Sequence, residues 1–138
     1  VVLESPDDIA THVLHRHAID LFNHGYYWEA HEAWEGLWLA VGKSGPVADL
    51  LKGLIKLAAA GVKAREGNVA GMVRHARRAL ELIQHSRDLW PENNAPLGLA
   101  WANLQAIAER CQTTSHAETG PDSFPGKTES GYILWHPS

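Results

Sequence analysis

A single cysteine, Cys111, occurs among the 138 residues, so no disulfide can form within the chain. Long apolar runs are missing as well: nothing approaches the ~18 apolar residues of a membrane-spanning helix. The N-terminus shows no basic stretch followed by an apolar one, the mark of a secretory leader. The expectation is a soluble protein with no membrane partner, in a reducing cytoplasm. Positive charge is scarce too. Twelve Lys and Arg face sixteen Asp and Glu, for a net charge of −4 with neutral histidine, which exerts no general attraction on nucleic acid. No internal repeat is strong enough for a solenoid. What remains is one domain with one core, for which this length and an apolar fraction of 45% suffice.

Histidine, by contrast, is abundant: nine residues, scattered rather than gathered in a tract. Their partial protonation makes net charge sensitive to pH near ~6 to 7. Aromatic residues concentrate in one place. Gly25 to Trp38 holds three Trp, two Tyr, three Glu and one His, and the rest of the chain is organised around it.

At ~100° per residue this segment reads as a helix from about Tyr26 to Val41. Tyr27, His31, Trp34, Trp38 and Val41 form one stripe, with Ala30 and Leu37 beside it. Trp28, Glu32, Glu35 and Leu39 form the adjacent row, while Glu29, Gly36 and Ala40 lie opposite. A plain amphipathic helix keeps its acids opposite the apolar stripe, so the position of Glu35 beside His31, Trp28 and Leu39 is unusual. The pairs His31–Glu35 and Glu32–Glu35 are spaced to touch. A carboxylate set among Trp and Leu is expected to be partly desolvated and to require a partner.

The run from Leu21 to Glu35, Leu-Phe-Asn-His-Gly-Tyr-Tyr-Trp-Glu-Ala-His-Glu-Ala-Trp-Glu, together with Trp38, resembles the signature of the domain-of-unknown-function 309 family. Gly53 to Ala60, then Gly67, Asn68 and Gly71, is similar to its second block, with Lys56 where the family often has Gln. The resemblance covers roughly Ala18 to Leu82. It implies an all-α fold and puts weight on His31, Glu32, Glu35 and Trp38. It brings no established activity.

Taken in order, Ser5-Pro6-Asp7-Asp8 is a helix start: a Ser N-cap, Pro at the first helical position and acids at the positive end of the dipole. This first helix runs to about Asn23 and stops at Gly25. Its apolar arc takes in Val13, Leu14, Ala18, Leu21 and Phe22, with His17 inside it. The short turn at Gly25 makes the first two helices antiparallel, which sets His17 level with His31 to Glu35. Gly42 to Pro46 is a loop without phosphate-loop spacing. A third helix, about Pro46 to Glu66, is apolar on all sides but the one carrying Lys52, Lys56 and Lys63. It should be the buried centre. Arg65 falls on its apolar side as a counter-ion for a buried Glu. Gly67-Asn68 closes that helix and caps a fourth, which runs to about Arg87 with Met72, Ala76, Ala79 and Ile83 inward and Arg74, Arg78 and Glu81 outward. A fifth spans about Leu97 to Cys111, with Cys111 as a core filler. From Gln112 the composition turns to Thr, Ser, Gly and Pro. The expected architecture is an all-α single multihelical bundle of about five helices over 1–111, with an extended, partly flexible tail over 112–138. Tyr132 to Trp135 in that tail docks on the bundle or on another copy, which makes a homo-oligomer one candidate assembly.

Two functional readings follow. In the first, Tyr27, Trp28, His31, Glu32, Trp34, Glu35 and Trp38 frame the cleft of a binding or scaffold module, and a hydrogen-bonded His–Glu network fixes helix packing. In the second, His17, His31 and Glu35 hold a divalent transition metal and Glu32 is the general base of a metal-dependent hydrolase. The spacing is not that of the His-Glu-x-x-His zinc motif, since Glu35 replaces the second His. Arg74, His75, Arg77 and Arg78 form a basic run without interleaved aromatics, so a nucleic-acid role is disfavoured.

Overall fold

The computed structural model of the chain describes residues 13–42, 45–89, 99 and 101–113. Among these residues are five α-helices: α1 Val13–Asn23, α2 Tyr27–Ala40, α3 Pro46–Arg65, α4 Val69–Leu89 and α5 Trp101–Thr113. Each packs chiefly on its neighbour in sequence, α1 on α2, α2 on α3, α3 on α4 and α4 on α5. The result is an all-α bundle of serial hairpins. No helix of the described residues is long and apolar enough to cross a membrane. The expected cap at Ser5 to Asp8 and most of the 112–138 tail, including Tyr132 to Trp135, lie outside the described residues.

The turns form where local chemistry places them. Gly25 has φ +87°, a conformation that disfavours any side chain. Its N–H donates to Phe22 O, and the Tyr26 N–H reaches Leu21 O at 2.8 Å. This pair of bonds is a Schellman closure, which satisfies two carbonyls at the end of α1. The same closure recurs at Gly67, φ +74°, with Asn68 N–H on Lys63 O at 2.9 Å. Asn68 then serves the next helix. Its Oδ1 accepts from the Gly71 N–H at 2.8 Å, so one residue ends α3 and caps α4.

Helix α3 is the buried centre. Leu50, Leu51, Leu54, Leu57, Ala58 and Ala60 are wholly enclosed, while the row of Lys52, Lys56, Ala59 and Lys63 is half-exposed. Its N-terminus is tied to the end of α4. The Ser86 hydroxyl donates to Pro46 O at 2.8 Å, and His85 Nδ1 meets Asp49 Oδ2 at 2.9 Å. On the far side, α5 buries Trp101, Leu104, Ile107, Ala108 and Cys111.

Two faces differ from the sequence expectation. On α1 the buried row is His15, Ala18, Ile19 and Phe22, while Val13 and His17 are exposed. The helix has rolled so that a histidine, not Leu14 or Leu21, completes the apolar row; the reason is a hydrogen bond to α2 described below. On α2 the buried row is Tyr27, Ala30, Trp34 and Leu37. His31 and Trp38 move to its flank, and Glu35 moves with them out to solvent. Arg65 is exposed rather than paired with a buried acid.

Candidate aromatic and basic face

Tyr27 and Trp34 anchor α2. Tyr27 lies flat against Gly61 of α3: a Cβ there would sit 2.4 Å from the ring. Glycine alone lets the two helices approach at this point. Phe22 meets the Tyr27 ring edge-on, centroids 5.2 Å apart, and Arg65 caps it with its guanidinium 5.3 Å from the centroid. Trp34 Nε1 donates to His15 Nδ1 at 3.0 Å, both side chains fully enclosed. An acceptor at Nδ1 puts the proton of the neutral ring on Nε2. Trp34, expected to line a cleft, is thus a core residue; Tyr27 is all but buried, yet it still lines the cleft beside Trp28.

The expected polar cluster does not assemble. Glu32 and Glu35 point to solvent, and His17 is exposed on α1. Among the described residues no group of three His, Cys, Asp or Glu could hold a metal ion. The expectation failed because it placed the α2 stripe on His31 and Trp38, a fraction of a turn from its true centre at Ala30 and Leu37. That small rotation is enough to move Glu35 from the helix interface into water.

What the flank of α2 does present is aromatic. Trp28 is 56% exposed, yet its ring stacks on His31 with centroids 5.2 Å apart and planes within 7°. His31 Nδ1 is sealed from solvent with no hydrogen-bond partner. An orphaned acceptor is less costly than an orphaned N–H, which favours the proton on Nε2, the nitrogen that is not sealed. Further along the same flank, the Lys52 ammonium lies over Trp38 at 5.7 Å from the ring centroid. At the other end, Gly25, Tyr26, Tyr27, Trp28, Glu29, Val62, Arg65 and Glu66 line an open cleft of about 340 Å³.

Two residues of this region escaped the sequence reading. His15 was detectable only if histidine is allowed in an apolar row, since 15, 18, 19 and 22 have ideal helical spacing. His75 lay hidden inside a basic run. It is half-buried on α4, and its pKa is lowered by burial first, then by the charges of Lys56, Arg74, Lys63 and His31.

Fold and face together define a small all-α domain built around an aromatic helix. Residues 15–75, from α1 into α4, match the family described as Domain of unknown function (DUF309). No curated protein matches the chain.

Proposed function

We propose that the domain is a ligand-binding module whose receiving surface is the flank of α2 where it meets α3. The observation that carries this reading is the Trp28–His31 stack. An indole left more than half exposed is nonetheless held parallel to an imidazole whose Nδ1 has no partner. A rigid aromatic plate at the surface is a good contact for a ligand because little side-chain entropy remains to be lost on binding. The cleft beside Trp28 supplies concavity, Arg65, Glu29 and Glu66 supply polar contacts around it, and Lys52 over Trp38 supplies a cation at the far end of the flank. The hydrolase alternative has less to stand on, because its proposed base and ligands, Glu32, Glu35 and His17, are exposed and apart from a shared ion position.

The test is a fragment screen followed through the six indole N–H signals in nuclear magnetic resonance spectra. Aromatic fragments should shift Trp28 and Trp38 and leave Trp34 and Trp101 still, and Trp28→Ala should remove the response without loss of helicity. Equal small shifts at all indoles, or none, would refute the reading.

A further inference from the structure

Helices α2, α3 and α4 share a trough whose floor is the half-exposed row of α3. The levels of the three helices are fixed by contact. Tyr27 lies against Gly61 and Lys52 over Trp38, which sets α2 on α3. Gly71 faces the Lys63 side chain and Gly53 faces Ile83, which sets α4 on α3. Counting along the antiparallel helices from these contacts, at 1.5 Å per residue, brings His31 and His75 to the same stretch of α3. That stretch lies between Lys56 and Lys63. The floor residue there is Ala59, the one small side chain in the lysine row, with Lys56 and Lys63 on either side of it along the helix. His31 stands on one wall and His75 on the other, both half-buried.

The chemistry of this saddle is of one sign. Among the described residues no carboxylate comes within ion-pair distance of Lys56 or Lys52, while Lys63 meets only the exposed Glu66, at 3.2 Å. The pKa of His75 is depressed first by burial and then by the neighbouring charges of Lys56, Arg74, Lys63 and His31. In a chain of net charge −4, this run of cations, answered only by Glu66 at its Lys63 end, favours an anion that offsets their repulsion. We propose that the saddle between Lys56 and Lys63 is an anion site that takes a phosphate group, with His31 and His75 as the flanking donors. A dianion suits it better than a carboxylate, since two lysines and two histidines flank it. A phosphate monoester carries about −1.5 to −2 charges near neutral pH and offers three acceptor oxygens. Helix α3 supplies the charges, α2 and α4 the imidazole N–H groups, and Trp28 continues the wall outward from His31. The inference rests on the binding reading above and specifies its ligand.

The experiment follows the nine histidine side chains of the full chain by nuclear magnetic resonance during titration with inorganic phosphate or phenyl phosphate, at constant ionic strength. The His31 and His75 signals should move together with either probe, and the His75 pKa should rise toward the ordinary histidine value as the anion binds. Lys56→Ala should weaken binding about tenfold, the scale of one lost charge-assisted contact, while Arg78→Ala, on the outer face and paired with Glu81, should leave it unchanged. Phenyl phosphate binding more tightly, with shifts at Trp28, assigns the phosphate to an organic ligand; equal affinities assign it to the free ion. His31 and His75 unmoved at about 20 mM phosphate, well above a millimolar dissociation constant, or all histidines moving alike, would overturn the site. If aromatic fragments still shift Trp28 in that case, the binding module stands and only the anion falls.

Discussion

Trp34 Nε1 and His15 Nδ1 form a hydrogen bond of 3.0 Å between two side chains that water does not reach. This single contact fixes how α1 rolls on α2. It brings a histidine into the core and leaves His17 outside, since the two side chains point some 200° apart on one helix. Trp34→Phe removes the donor and strands a buried acceptor, which costs about 1–3 kcal/mol. His15→Leu alone strands the indole N–H instead. The double substitution should be less destabilising than the sum of the two, as a double-mutant cycle in urea would register. Additive losses would mean that the bond does not set the helix roll.

The approach of α2 to α3 depends on Gly61. Alanine there would drive a methyl group into the buried Tyr27 ring, with contacts of 2.4 and 2.7 Å, and overpacking of this kind costs about 1–3 kcal/mol. Gly36 is the control. It sits within α2 with nothing inside 4 Å of a built Cβ, so Gly36→Ala should stabilise by about 0.5–1 kcal/mol through helix propensity alone. Thermal melts of the two variants should therefore shift in opposite directions.

Glu32 and Glu35 stand in solvent. Their replacement by Gln should change stability by less than about 0.5 kcal/mol, as for other surface substitutions. A loss of several kcal/mol in urea titrations would show that these carboxylates are answered by buried partners after all.

His75 has a pKa below the ordinary histidine value of 6.5, chiefly because it is buried, and then because of the charges of Lys56, Arg74, Lys63 and His31. The unfolded chain therefore takes up a proton at higher pH than the folded one. Stability from this residue is complete above 6.5 and is lost as pH falls through the lower folded value. His75→Gln should flatten part of the decline in urea midpoint between about pH 7.5 and 5, the range where histidine titrates. An unchanged slope would show that other groups carry it.

Burial pushes the Cys111 thiol up to about 12. The thiolate is the reactive form, so a thiol reagent at mildly alkaline pH should label the native protein only as fast as it opens, and labelling should become rapid in urea. Immediate labelling without denaturant would place α5 away from the core.

The chain itself settled the helices and their ends. Gly25 and Gly67 supply left-handed closures, Asn68 ends one helix and caps the next, Pro46 opens α3, and the apolar circumference of α3 makes it the centre. All of these are local, resolved within a turn or two of backbone, which is why spacing and capping chemistry sufficed. The roll of each helix was a different matter. A helical wheel locates a face only to within a fraction of a turn, and for α2 that fraction separates Glu35 in an interface from Glu35 in water. Tertiary contacts decided it: the indole of Trp34 found His15, and the Tyr27 ring found the bare backbone of Gly61. They also brought His31 and His75 to opposite sides of Ala59. No pattern along the chain encodes that meeting, because it depends on the registers of two separate helix pairs, each set by side chains meeting across the interface.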